Sequence, residues 1–282
     1  MLLTLGNLQA LKSEMVPNLN TNFENAFSVK LTEETKTIRD VLTQIDTRLF
    51  QSYTRPAIEN IRKIVRAGVA DPNWAPPRGE KPREVRPYVY KALLNVVHAH
   101  TQVSAAAPSL TGHVLSHLLE LTLKELLEAF KSRPKYNLED LMQATLDVEF
   151  FAQTLKHYTT DGASELQSLI YIHLDSCTDD AARVRLQSEL PEMRAILKRL
   201  REASKSEFAC FRKPKRSGVG SGDGPSSPDG GRVRRNSGQS IATTATSSSA
   251  TTTQFVDRIG QNFATTTSGG SSAAAAQFAD RI

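Results

Sequence analysis

Only two cysteines, Cys177 and Cys210, occur in 282 residues. That is too few for a disulfide-built secreted scaffold and cannot supply a zinc module, so a reducing cytosolic compartment is expected. No stretch approaches the roughly 18 to 20 apolar residues that a membrane span needs. The opening Met1-Leu2-Leu3-Thr4-Leu5 shows neither a basic leader nor a small-residue cleavage site after a long apolar core. The expectation is a chain neither membrane-spanning nor exported by a standard signal. A glycine-rich phosphate loop followed by Lys and Ser or Thr is missing, as is a glycine fingerprint between a strand and a helix. Sustained period-two alternation, the mark of half-buried strands, is also missing.

What the chain has is helical periodicity. From Thr32 to about Ala67, residues Ile38, Val41, Leu42, Ile45, Leu49 and Phe50 recur at spacings of three and four, which places them on one helical stripe. Thr32 reads as the N-cap, with Glu33 and Glu34 at the positive end of the helix dipole. Pro56 interrupts the pattern, predicting a kink or break near Thr54 and so one bent helix or two short ones. Residues 71–87, with Pro72, Pro76, Pro77, Pro82 and Pro87, are too rich in proline for a regular element and read as a connector with one anchor, Trp74. Pro87 then suits the first turn of a helix that Pro108 closes.

Further helices are predicted over Ser109 to Lys131, from Asn137 with Asp140 in its first turn, and from Ser164, whose Gln167 completes a capping-box pattern. Pro191 reads as a first-turn proline before Met193, Ile196 and Leu197. Six or seven helices joined by short polar links make an all-α antiparallel bundle or stack over residues 1–212. The segment Leu2 to Phe27 is apolar enough to need a packing partner and begins with no capping residue. The segment looks like the middle of something, and the chain reads as the C-terminal part of a longer helical protein or as a truncated gene model.

Charge separates the two parts of the chain. The formal charge is +5, and the segment from Lys213 onward carries eight basic and four acidic residues, leaving the body at +1. The same segment, 213–282, holds ten of the 15 glycines in runs such as Ser217-Gly218-Val219-Gly220-Ser221-Gly222, followed by Ser and Thr tracts. Such a composition cannot bury enough apolar area to offset an ordering cost of about 1 to 2 kcal/mol per residue, and it is read as a disordered basic tail. Within it, Arg234-Arg235-Asn236-Ser237 offers a basophilic-kinase pattern and Ser227-Pro228 a proline-directed one, making Ser237 and Ser227 candidate phosphorylation sites. The hexapeptide Gln254-Phe255-Val256-Asp257-Arg258-Ile259 recurs as Gln277-Phe278-Ala279-Asp280-Arg281-Ile282. It is either a docking element used twice, through Phe255, Ile259, Phe278 and Ile282, or a duplication without function.

Residues able to carry chemistry are few. His113 and His117 stand one turn apart, a spacing that can chelate zinc, but the Glu of a zinc protease is missing between them and no third ligand is evident. His98 and His100 lie on different faces of one helix. His173, Asp175, Ser176 and Cys177 contain the letters of a triad, yet near neighbours on a helix point apart. No catalytic residue, metal site or cofactor is assigned. Basic clusters at Arg62, Lys63, Arg66, Arg78, Arg83 and Arg86, and from Lys198 to Arg216, read first as solvated faces and second as contacts for anionic lipid headgroups or an acidic partner. No nucleic-acid motif with interleaved aromatics is present.

The run Tyr88-Val89-Tyr90-Lys91-Ala92-Leu93-Leu94-Asn95-Val96-Val97-His98-Ala99-His100-Thr101-Gln102-Val103 resembles a helix near the C-terminus of exocyst complex components of the Sec-five type. So does Leu42 to Tyr53, with Asp46, Arg48, Leu49, Phe50 and Tyr53 in an Asp-x-Arg-Leu-Phe-x-x-Tyr pattern, and Leu190 to Phe211 is similar to that family's last helix. The resemblance covers approximately Leu2 to Phe211 and rests on order and spacing. The tail has no counterpart in animal members and resembles a fungal extension. What the resemblance implies is a non-catalytic subunit of the octameric exocyst, which tethers secretory vesicles to the plasma membrane, built as the distal end of a rod of stacked helical bundles. It implies the other exocyst subunits as partners, with small GTPases or SNARE machinery reached through the complex; the basic clusters add peripheral contact with anionic membrane as a candidate, and no nucleic acid is expected. It implies a cytoplasmic protein recruited to sites of polarised secretion. The family's N-terminal regions, including the pairing helices and the GTPase-binding immunoglobulin-like domain of animals, have no match here. The alternative is a helical membrane-surface or nucleic-acid-binding module outside the exocyst, and the weakest reading is a helical hydrolase.

Overall fold

A computed structural model describes residues 1–212. Among them there is no strand, only a single parallel bridge between Tyr136 and Thr178. The helices are α1 (Leu2–Ala10), α2 (Val16–Phe27), α3 (Thr32–Val69), α4 (Pro87–Ala106), α5 (Thr111–Lys131), α6 (Leu138–Thr154), α7 (Asp161–Ser176) and α8 (Asp180–Ala203). A π-helical turn, Leu11–Met15, joins α1 to α2 without a break. Counted as one rod, that run brings the described helices to seven, in keeping with the all-α bundle expected from the periodicity.

Proline explains the π turn. Pro17 lacks the N–H that would bond four residues back, and the N–H of Val16 instead reaches the carbonyl of Leu11, five residues back. Pro56 has a different outcome, because α3 continues through it for 38 residues. The Thr54 hydroxyl donates to the Phe50 carbonyl at 3.0 Å, supplying a local bond beside the one that proline removes. Pro191 is likewise inside a helix and not in its first turn as expected. The start of α8 lies eleven residues earlier, where Asp179 caps it by accepting from Ala182 N at 2.6 Å.

Two other expected caps move as well. Leu31, not Thr32, is the N-cap of α3, and its N–H is taken up by Glu24 from α2 at 2.8 Å. Ser164 lies within α7, whose cap is Thr160, bonded to Ala163 N at 3.1 Å. Ser and Thr both favour such positions, and the choice falls to the residue whose backbone is extended, as that of Thr160 is. The expected start at Asn137 is present as a reciprocal box, with Asn137 Oδ1 accepting from Asp140 N at 2.7 Å and Asp140 Oδ2 accepting from Asn137 N at 3.2 Å.

The bundle is built around α5 and α6. The apolar face of α5 packs between α3, α4 and α7, and α6 lies against α8. Every residue of α6 from Leu138 to Ala152 is buried. A helix enclosed on all sides must also satisfy its polar groups, and α6 does so with partners from elsewhere in the chain and with its own Gln143 and Gln153. Asp147 accepts from Arg86 N at 3.0 Å, Tyr88 Oη at 2.9 Å and Gln143 Nε2 at 2.9 Å. Glu149 accepts from Gln153 Nε2 at 2.8 Å, Gln167 Nε2 at 3.1 Å and Tyr171 Oη.

The connector between α3 and α4 is pinned at more than the one expected point. Trp74 is 1% exposed, but Pro82 and Val85 are buried too. Gly79 N donates to Glu139 at 2.9 Å, and Lys81 reaches Glu189 and Glu192 of α8 at 2.6 Å each. A stretch without regular structure is thereby held across α6 and α8 by side chains that satisfy its backbone.

Candidate interaction surfaces

The residues singled out for chemistry do not assemble into a site. His113 stacks on Phe50 with ring centroids 4.4 Å apart, and His117 meets the same ring edge-on at 5.1 Å. Burial lowers the pKa of His117, favouring the neutral ring that packs against an aromatic. Among the described residues no three His, Cys, Asp or Glu side chains are grouped to hold a metal. The Cys177 thiol lies 3.9 Å from the His173 ring and 3.8 Å from the Ser176 hydroxyl, closer than expected of near neighbours on one helix, but the Asp175 carboxylate pairs with Arg183 Nε at 2.6 Å, so the four letters form no triad. His98 shares a hydrogen bond with Gln102, and His100 contacts the edge of Phe211. Ser227, Ser237, Phe255, Ile259, Phe278 and Ile282 all lie outside the described residues.

The first basic cluster is partly internal and not simply a solvated face. Arg62 Nε sits 2.7 Å from Glu125 Oε1, and Arg66 Nη2 lies 3.2 Å from Oε2. Glu125 is buried, so two cations of α3 grip one carboxylate of α5. Arg86 donates to the Trp74 carbonyl. Arg62 and Arg66 tie α3 to α5 while their outer faces stay in solvent, and Arg86 ties the connector to the start of α4.

The second basic cluster is different. Where α6 and α8 end, two short 3₁₀ turns, Lys156–Tyr158 and Ala209–Phe211, close over the bundle. Phe208 and Phe211 are buried there, Phe208 against Tyr90 and Phe150 and Phe211 against Tyr158 and His100. Beside them opens a cavity of about 390 Å³ bordered by Lys156, Lys198, Arg201, Lys205 and Arg212. Arg201 is half-buried and donates Nη1 to Gln153 Oε1 at 2.8 Å, and Gln153 in turn donates to Glu149. Burial, and then the nearby Arg212, hold the Arg201 pKa below its ordinary value.

A third surface is apolar. On α2 and the first half of α3, Leu19, Phe23, Phe27, Ile38, Val41 and Ile45 are between 42% and 64% exposed. The rod of α1 and α2 touches α3 through Lys12 and Asp46 at 3.7 Å and through Asn20 and Thr35 at 2.7 Å, contacts that leave this side open. The stripe that the periodicity marks from Ile38 to Phe50 is thus core only at its end, where Phe50 is buried.

The model of the family described as exocyst complex component Sec5 matches residues 1–211, which is three quarters of the chain and almost all of its helical body. The chain belongs to that family. Two curated relatives are similar to it: the human exocyst complex component 2, 26% identical over 165 residues, and the mouse exocyst complex component 2, 23% identical over 216 residues. The alignments cover 57% and 75% of this chain but only 17% and 22% of those proteins, so the Sec5-family chain spans about a fifth of the length of the curated relatives it matches. No solved structure matches it. The match stops at Phe211, in the wall of the basic cavity, so Arg212 of that cavity and residues 213–282 lie beyond the matched stretch.

The surfaces are only partly visible in the sequence. The cations of α8 form one basic cluster there, but nothing in their spacing shows that Lys156, from a turn forty residues away, joins them. Gly68 carries no motif around it, although its lack of a side chain sets how closely α3 approaches α4.

Proposed function

We propose that the protein acts as a subunit of the exocyst, contributing to the tethering of secretory vesicles at the plasma membrane through protein-protein contacts. The observation that carries this reading is the family match over residues 1–211. The bundle suits a mechanical part: apolar stripes are buried inside it, the polar groups of α6 are satisfied by neighbouring side chains, and the exposed stripe of α2 and α3 is the kind of face that larger assemblies cover. In this reading residues 1–212 are one end of a longer helical rod, 213–282 are a tail with phosphorylation at Ser227 and Ser237 and docking through the repeated hexapeptide, and the chain catalyses no reaction. Its partners are the other exocyst subunits, with small GTPases and SNARE machinery reached through them, and it is recruited from the cytoplasm to sites of polarised secretion. No helix among the described residues is long and apolar enough to cross a membrane, so membrane contact would be peripheral, and the basic cavity supports such contact.

The test is to tag the protein at its own locus, purify it under gentle conditions and identify what comes with it. Recovery of the other exocyst subunits in comparable amounts is the expected result. Their absence, with the tagged protein intact and abundant, rejects the assignment.

A further inference from the structure

The cavity at the ends of α6 and α8 is unbalanced in charge. Five cationic side chains border it, and the one carboxylate in its lining, Glu202, is already engaged by Lys205 at 2.6 Å. No ion pair within 4.0 Å is formed by Lys156, Lys198, Arg201 or Arg212 among the described residues. Arg201 is hydrogen-bonded to a neutral amide, that of Gln153, while the carboxylates of Glu149 and Glu202 act on it through space without an ion pair.

The bland explanation is that the cations answer the helix ends. Each C-terminus carries roughly half a negative charge, so α6 and α8 together offset about one cation. The buried Glu149 carboxylate behind Gln153 offsets part of the Arg201 charge as well, which leaves about two unmatched positive charges around a cavity of about 390 Å³. Like charges held this close repel one another, and the arrangement is stabilised by an anion that takes hydrogen bonds from several of them at once.

Size and lining narrow the anion. The cavity suits a ring-sized molecule and not a polymer. Phe208 and Phe211 in its wall are 5% and 1% exposed, so no ring face is offered for stacking a nucleic-acid base. A single carboxylate would satisfy one or two of the cations. Phosphate groups present several oxygens each, and arginine and lysine bind them by fork and by point charge respectively.

We propose that this cavity is a binding site for a compact, multiply phosphorylated anion, free in solution or carried as the headgroup of a membrane lipid. Lys198 and Lys156 supply mobile ammonium groups at the mouth, and Arg201 supplies the half-buried guanidinium. The assembly proposal is a separate matter, since the site is assayed on the purified chain with no other subunit present.

The test uses the full chain, residues 1–282. Inositol hexakisphosphate is titrated by calorimetry, and flotation is measured with phosphatidylcholine vesicles carrying a phosphorylated phosphatidylinositol or, at matched surface charge, phosphatidylserine. The cavity variant is Lys156→Glu with Lys198→Glu, both residues outside the core. The tail control is Lys213→Ser, Lys215→Ser and Arg216→Ser. Saturable binding of the soluble probe is expected, weakened about tenfold or more in the cavity variant and less than about threefold in the tail control. Arg201→Gln should weaken binding too, but the lysine pair is the decisive variant because its thermal melt should match that of the original chain.

Binding to phosphorylated-inositide vesicles, competed by the soluble probe, supports the site with a lipid headgroup as source. Soluble binding without flotation supports it with a free anion. The proposal is overturned if neither binds, if the loss follows the tail control and not the cavity variant, or if phosphatidylserine vesicles bind equally well.

Discussion

A Cβ atom placed on Gly68 would lie 2.3 Å from the Cβ of Tyr88 and 2.4 Å from its Cγ. These are the root of a buried side chain, not a flexible end, so α3 and α4 can only approach as they do because residue 68 is glycine. Gly68→Ala should therefore force the helices apart and cost about 1 to 3 kcal/mol, as overpacked cores do. For a body of this size each kcal/mol lowers the melting temperature by about 2 to 4 °C. Gly112→Ala, where nothing lies within 4 Å, should leave the melting temperature unchanged or slightly higher. Equal melting of the two variants would contradict the close approach.

Tyr88 is also the donor that reaches Asp147, and burial lifts that carboxyl from 3.8 to about 6, against the opposing pull of its three hydrogen bonds. The folded state thus holds its proton more tightly than the unfolded chain. The contribution of Asp147 to stability is greatest below about pH 4, and falls as the pH rises from about 4 to 6 and the buried group ionises. Asp147→Asn removes that dependence. Urea unfolding of both proteins between pH 4 and 7 should show the variant gaining about 2 to 3 kcal/mol relative to the original across this window, then running parallel. A difference independent of pH would rule the raised pKa out.

The sequence made the helices visible because burial on one side of a rod leaves a period of about 3.6, as on α5 with Leu115, Leu119, Leu123 and Leu126. It hid the enclosure of α6 for the opposite reason. Surrounded on every side, α6 carries Gln143, Asp147 and Glu149 at buried positions, and only the tertiary partners Tyr88, Arg86 and Tyr171 show why those residues are tolerated. Proline is read less surely: at Pro56 the pattern leaves one helix or two open, and packing selects one, whereas Pro191 reads as a first-turn residue yet sits well inside α8. The basic cavity is legible as a cluster along α8 and not as a site, because Lys156 comes from a different turn and Arg201 is placed by Gln153 of α6.

Arg62 and Glu125 make the best-placed ion pair between α3 and α5, at 2.7 Å, with the glutamate side chain 8% exposed and the arginine 45%. The arginine can return to water when its partner is lost, so the pair is worth less than a fully buried one. A double-mutant cycle with Arg62→Met and Glu125→Met should give a coupling of about 1 to 2 kcal/mol, reduced in high salt. The single Arg62→Met change should cost more than Glu125→Met, because it leaves a buried carboxylate with only Arg66. Coupling below about 0.3 kcal/mol would place the pair among ordinary surface contacts.

Trp74 is the one tryptophan in the chain, so its fluorescence reports on the connector alone. It is packed against Phe130 and Tyr136, with the Arg133 guanidinium carbon 4.6 Å from the ring centroid. Native emission should be that of a buried indole, shifting to the red in a single step as the bundle unfolds. Trp74→Ala should cost about 3 to 5 kcal/mol through the cavity it leaves. It should also release the segment between α3 and α4, which carries Arg78 and Arg83 as tryptic sites. Limited proteolysis should then cut after Arg78 and Arg83 faster in the variant than in the original chain, under conditions where both remain folded. If the variant melts lower but those two bonds are cut at the original rate, Pro82, Val85 and the Lys81 pairs are enough to hold the connector. Trp74 would then be a core residue only.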